Sequence, residues 1–166
     1  MILIGIGANL PSVEFGPPAK TLDAAISAIA AKGIMVAARS SFYTSAPFPA
    51  SNQPWFVNGV IHVKTALKPK PLLDVLLEIE HLFGRIRSIP NAPRVLDLDL
   101  LAYGSLATDP NSSPVLPHPR MHERAFVLLP MLEIAPNWRY PLDRTPLAAL
   151  IERMPAGQTA RLCCQS

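Results

Sequence analysis

Residues 94–103 read Arg94-Val95-Leu96-Asp97-Leu98-Asp99-Leu100-Leu101-Ala102-Tyr103. From Leu96 to Leu100 apolar and acidic residues alternate strictly. Side chains on a strand point to its two faces in turn. The pattern therefore predicts a strand with Leu96, Leu98 and Leu100 on one face and Asp97 and Asp99 on the other. At a rise of about 3.3 Å per residue the two Asp backbones lie about 6.6 Å apart, so their carboxylates can converge on one ion or a pair of ions. Aspartate is depleted in strands, and two like charges on one face repel unless a cation lies between them. Paired carboxylates with no cysteine and no positioned histidine favour magnesium over zinc. A solvated strand face is the ordinary alternative, and D-x-D alone does not decide between the two.

Around this strand the other elements fall into order. Residues 2–6 are apolar and β-branched, end at Gly7 and read as a strand. In 19–32, Leu22, Ile26 and Ile29 keep helical spacing and Gly33 is the stop. Residues 34–43 read as a second strand, 45–54 as a proline loop and 55–65 as a third strand. Pro69 and Pro71 open a helix whose buried face is Leu72, Leu73, Leu76, Leu77, Ile79, Leu82 and Phe83, closed by Gly84. A basic, proline-containing loop over 85–93 leads into the fourth strand. A proline-rich loop then reaches 116–119, and helices are expected near 122–134 and 145–153. The expected fold is α+β: a ferredoxin-like βαββαβ core, with a mainly antiparallel sheet, helices on one face and a C-terminal helical extension covering part of the rest.

Length and composition agree with one domain over residues 1–166. With 49% hydrophobic and 16% charged residues the chain is too apolar to be disordered. No apolar run reaches the roughly 18 residues of a membrane span. The first ten residues lack a basic region and a cleavage site, so they read as a buried strand rather than a signal peptide. The net charge of +3 suits an anionic small molecule, and no Lys/Arg run tracks a nucleic-acid backbone. Cys163 and Cys164 are adjacent, which rarely suits a disulfide, and read as thiols of a reducing cytoplasm.

Arginines surround the acidic pair in sequence. Arg85, Arg87 and Arg94 lie upstream, Arg120 and Arg124 downstream. Carboxylate–metal centres flanked by Arg are what phosphoryl transfer requires, because metals and guanidinium groups together neutralise phosphate oxygens. The sequence has no G-x-x-x-x-G-K-[ST] loop, and Gly5 and Gly7 give only G-x-G. If ATP binds, it is therefore held by metal and side chains rather than by a P-loop.

Several stretches then combine: Ile6-Gly7-Ala8-Asn9-Leu10, Ser41-Phe42-Tyr43-Thr44, Gln53-Pro54-Trp55-Phe56-Val57-Asn58, Gly84-Arg85-Ile86-Arg87, Pro93-Arg94-Val95-Leu96-Asp97-Leu98-Asp99-Leu100, Leu116-Pro117-His118-Pro119-Arg120-Met121 and Arg124-Ala125-Phe126-Val127-Leu128. In these, over roughly residues 2–152, the chain resembles the 6-hydroxymethyl-7,8-dihydropterin pyrophosphokinase family. The resemblance implies transfer of the diphosphate of ATP to the pterin hydroxymethyl group, with release of AMP, in folate biosynthesis. It implies two Mg²⁺ ions bridging Asp97, Asp99 and the phosphates. It places Asn58 on the amide-like edge of the pterin and Phe126 on its ring, with Gly7, Ser45, Pro47 and Phe48 lining the same pocket. Arg85 and Arg94 would contact the triphosphate, Arg94 in the transition state. His118 and Arg124 would also meet phosphate, Glu80 would sit near the adenosine, and Arg87 would lie in a loop that moves. Motion on ligand binding is expected of loops 45–54 and 84–93.

Two positions depart from the family pattern: Asn91 stands where many members carry Trp, and Pro119 follows His118 where some have an aromatic residue. No residue stands out as general base, and His62 and His81 read as packing or surface residues. The expected partners are ATP and the pterin alone, for a cytoplasmic monomer without nucleic acid or membrane. The competing readings are a non-catalytic nucleotide- or pterin-binding module of the same fold and a ferredoxin-like nucleic-acid binder. The acidic pair, standing where stacking aromatics would sit, speaks against the last.

Overall fold

The computed structural model describes residues 1–86 and 89–163. Its elements are β1 (Ile2–Ala8), α1 (Pro18–Ala31), β2 (Met35–Arg39), β3 (Tyr43–Ser45), β4 (Phe56–Lys64), α2 (Pro69–Leu82), β5 (Asp97–Tyr103), a 3-10 turn (Met121–Glu123), α3 (Ala125–Ile134), α4 (Leu147–Glu152) and β6 (Ala160–Leu162). Both long helices start on prolines, whose missing N–H costs nothing in a first turn. Each is followed by a glycine in the left-handed region, Gly33 at φ 80° and Gly84 at φ 85°, which turns the chain back toward the sheet.

The strands pair in the order β5-β1-β4-β3-β6, with β2 beside β3 on the same edge of β4. All pairings are antiparallel. This is the ferredoxin-like core expected from the alternating strand and helix patterns. The segment 34–43 is two strands rather than one. Its register against β4 slips between Val36 and Ala38, and Ser40 then bonds Val60 through both backbone and side chain.

The core helices α1 and α2 lie on one face, and the helices of the C-terminal extension cover part of the other, as expected. On the first face α1 and α2 bury Leu22, Ile29, Leu72, Leu76 and Ile79 against Ile4, Ile6, Ile61 and Leu98. On the second, Val127, Leu128 and Met131 of α3, with Trp138 and Leu147, pack on Leu3, Val60 and Leu101. The expected tail helix is interrupted at Arg124, which is extended (φ −112°, ψ 111°) between the 3-10 turn and α3. The tail also contains a strand, β6, that pairs with β3. Its three residues, Ala-Arg-Leu, are too short a run to be read as a strand. No helix among the described residues is long and apolar enough to cross a membrane.

Candidate active site

The second face is covered only in part, and the site lies where the cover ends. Gly7 of β1 is in register with Asp97 of β5 on one side and Asn58 of β4 on the other; Asn58 is in turn opposite Tyr43 of β3. One row across the sheet thus carries an acid, a gap and an amide. Asn58 is a regular strand residue, not the bulge its polarity could suggest. Its Nδ2 donates to Ser45 Oγ at 2.7 Å, and both residues are buried. Its Oδ1 lies 2.7 Å from where a Cβ on Gly7 would stand. Gly7 is therefore required by space.

Beside this row a cleft is lined by Ser45, Pro47, Phe48, Phe56, Asn58, Asn91, Arg94, Asp97, Arg124 and Phe126. Phe126, in the first turn of α3, packs against the second core and also forms part of the cleft wall. The Arg124 guanidinium lies 5.5 Å above its ring. Phe56 and Gln53 also border this space, although the sequence pointed to no role for them there, and so does Asn91, the position where many family members carry Trp.

The arginines converge on the carboxylates. Arg85 donates to Asp97 Oδ1 and to Glu80 Oε1. Arg94 Nη1 is 3.2 Å from the same Asp97 oxygen, and Arg124 Nη1 is 3.4 Å from Asp99 Oδ2. Glu80, only 1% exposed, also accepts the Leu98 N–H at 2.7 Å, so it pins the edge strand that bears the acidic pair. Asn9 does the same for Arg94. Its Oδ1 accepts the Arg94 N–H at 2.9 Å, while the Asn9 and Leu10 amides donate to the Arg94 carbonyl. Its Nδ2 donates to Gln53 Oε1 and the Pro54 carbonyl, and Gln53 donates to the Asn91 carbonyl. The only sequence sign of this network was that Asn9 and Gln53 fall in the recognised stretches.

Burial and the neighbouring Asp97 push the Asp99 carboxyl up to about 7, although 31% of its side chain stays exposed. Burial and the nearby Arg124 push His118 down to about 4, so it is neutral at pH 7. Its Nδ1 accepts the Arg120 N–H at 3.2 Å. The ring proton therefore sits on Nε2, which is left as a neutral donor. Arg87 and Cys164 lie outside the described residues.

Asp99 gives a testable pH dependence. Below about pH 4 it is protonated whether the chain is folded or not. Between about 4 and 7 the unfolded chain ionises it and the folded one resists, so stability falls across that window and levels off above it. Asp99→Asn removes this loss. In chelator at pH 8 it should melt about 2–4 °C above the parent, the shift of roughly 1 kcal/mol in a chain of this size, and the difference should vanish near pH 4. Parallel melting curves at both pH values would refute the assignment.

Among the described residues no cluster of three or more His, Cys, Asp or Glu meets at one point. The Asp97–Asp99 pair still fits magnesium, which keeps several waters and takes one or two carboxylates with substrate phosphates as its other ligands. Such a centre, with guanidinium groups around it and a cleft of aromatic and amide character alongside, is the chemistry of a phosphoryl-transfer enzyme with a planar acceptor. Comparison with known proteins makes this specific. The chain belongs to the 7,8-dihydro-6-hydroxymethylpterin-pyrophosphokinase family, whose model matches residues 3–136. It is 40% identical over 153 residues to the 2-amino-4-hydroxy-6-hydroxymethyldihydropteridine pyrophosphokinase of Synechocystis sp., covering 92% of this chain and 75% of that one. The enzyme of the same name from Methylorubrum extorquens is 43% identical, covering 81% and 82%. That of Pseudomonas aeruginosa is 37% identical, covering 97% and 96%.

Proposed function

We propose that this chain transfers the β,γ-diphosphate of ATP to the hydroxymethyl oxygen of 6-hydroxymethyl-7,8-dihydropterin in folate synthesis. The hydroxymethyl oxygen bonds to the β-phosphorus as the bridge to the α-phosphate breaks, AMP leaves, and the hydroxyl proton is lost. The observation that carries the reading is the row Asp97–Gly7–Asn58, which sets a carboxylate centre one strand away from an amide-lined cleft. Asn58, oriented by Ser45, meets the amide-like edge of the pterin, Phe126 stacks on its ring, and Pro47 and Phe48 close the wall. Two Mg²⁺ ions, held by Asp97 and Asp99, would supply charge neutralisation and in-line orientation of the phosphates. Arg85, Arg94 and Arg124 are already gathered on these carboxylates and turn the same donors to the triphosphate. His118 adds a neutral donor, and Glu80 acts toward the adenosine side through its grip on Arg85. Arg87 is assigned to phosphate by resemblance alone. With small-molecule substrates on both sides the reaction needs no second subunit, nucleic acid or membrane, and the cytoplasm supplies the ATP.

The test is to mix the protein with ATP, Mg²⁺ and the pterin and to follow AMP by chromatography. AMP formed only when pterin is present supports the transferase. Binding of both ligands without AMP would leave a binding module of the same fold. Gly7→Ala probes the pterin side. Its methyl must displace the Asn58 amide, and the KM for pterin should rise about tenfold, the scale of one displaced polar contact, while the KM for ATP stays put. An equal rise in both would refute the placement of Asn58.

A further inference from the structure

We infer that Gln158 is a positioning residue of this site, setting the direction in which Arg124 enters it. The inference rests on the placement of Arg124 among the substrate-binding groups proposed above. Gln158 lies beyond the 3–136 stretch that the family model matches, in the tail that carries β6.

The first amides of α3 need acceptors, as at any helix start. The residue at its N-cap is Arg124, whose side chain has only donors and makes no cap. Gln158 provides one from a distance: its Oε1 accepts the Ala125 N–H at 2.9 Å. Its Nε2 donates to the Glu123 carbonyl at 2.6 Å and to the Pro155 carbonyl at 3.3 Å. One planar amide thus grips the peptide groups on both sides of Arg124 and holds that residue extended between the 3-10 turn and the helix. The guanidinium is not anchored so firmly at its own end. Its contact with Asp99 is 3.4 Å long, and it lies 5.5 Å over the Phe126 ring. Its direction is therefore set largely by the backbone.

Gln158 is itself held by the sheet. The Ala46 N–H donates to the Thr159 carbonyl, and the Cys163 N–H to the Phe42 carbonyl. Between them Ala160 pairs with Ser45 and Leu162 with Tyr43. Ser45 is the partner of Asn58. One tail segment therefore keeps the Arg124 wall and the Asn58 wall of the cleft in register.

The experiment is a double-mutant cycle on the full chain, with kcat/KM read from AMP formation. Gln158→Ala should lose about tenfold, the scale of a slightly misdirected contact. Gln158→Glu, which keeps the acceptor for Ala125 and loses the donor to Glu123, should lose less. In an Arg124→Ala background Gln158→Ala should cost nothing further, because the two substitutions act through one group. The same loss in both backgrounds would mean general destabilisation and overturn the inference. If Arg124→Ala alone left activity intact, the substrate role of Arg124 would fall. The ¹⁵N resonance of Arg124 Nε then decides the positioning: a shift in Gln158→Ala supports it, and an unmoved resonance overturns it.

Discussion

Asp97→Ala is expected to lower AMP formation about 10³-fold or more, with pterin binding retained, the loss typical when a preorganised charge is removed from a transferring group. Three consequences of one deletion explain the size. One of the two carboxylates proposed to hold the metal is lost. Arg85 and Arg94, which share the Asp97 Oδ1, lose the anion that gathers them. Asp99 loses the neighbour whose charge helps hold its carboxyl up, so it ionises more readily without recreating the pair. Activity should not return at high Mg²⁺, and calorimetry with pterin should show the cleft intact. Recovery of turnover at raised Mg²⁺ would mean that Asp97 tunes affinity only.

Arg94→Ala is the second large effect. A guanidinium placed on a transferring phosphoryl group is worth about 10³–10⁵ in rate, and a loss of about 10³ in kcat is expected here. The surroundings of Arg94 suit that role. Its backbone is held on both sides by Asn9, its Nε donates to the Ala92 carbonyl at 3.1 Å, and Nη1 reaches Asp97. Lysine keeps the charge but loses the planar fork and the Nε donor. Arg94→Lys should therefore recover only a small part of the rate. Single-turnover measurements separate chemistry from binding. If Arg94→Ala raised only the KM for ATP and left the chemical step alone, Arg94 would be a binding residue and the transition-state role would be lost.

Much of the architecture was legible because its signals are local. Strict alternation from Leu96 to Leu100 exposes the acidic face, the proline openings and glycine stops bound α1 and α2, and the element order alone implies the ferredoxin-like pairing. The break of 34–43 into β2 and β3 was not legible. It depends on a register slip against β4, and register is a property of two strands. The helical extension over the rest of the sheet was expected, but which residues it buries there was not legible, because nothing in a helix's own periodicity says against which strands it will pack. Asn58 had no interpretable signal in its neighbours. Its environment is made by Gly7, fifty-one positions earlier, and by Ser45. Glu80 would pass by itself for an ordinary helix acid, yet it is buried and holds Leu98 and Arg85.

The sequence by itself determined which residues carry charge and which faces are apolar, because strand and helix periods translate residue spacing directly into sidedness. It also determined the family, through the order and spacing of its motifs. Only the tertiary structure decided what meets what: Gly7 between Asp97 and Asn58, Asn9 around Arg94, Gln158 around Arg124. The physical reason is that these contacts join segments far apart in the chain. Each buried polar group must find its partner across that distance, and no local spacing encodes where the partner will be.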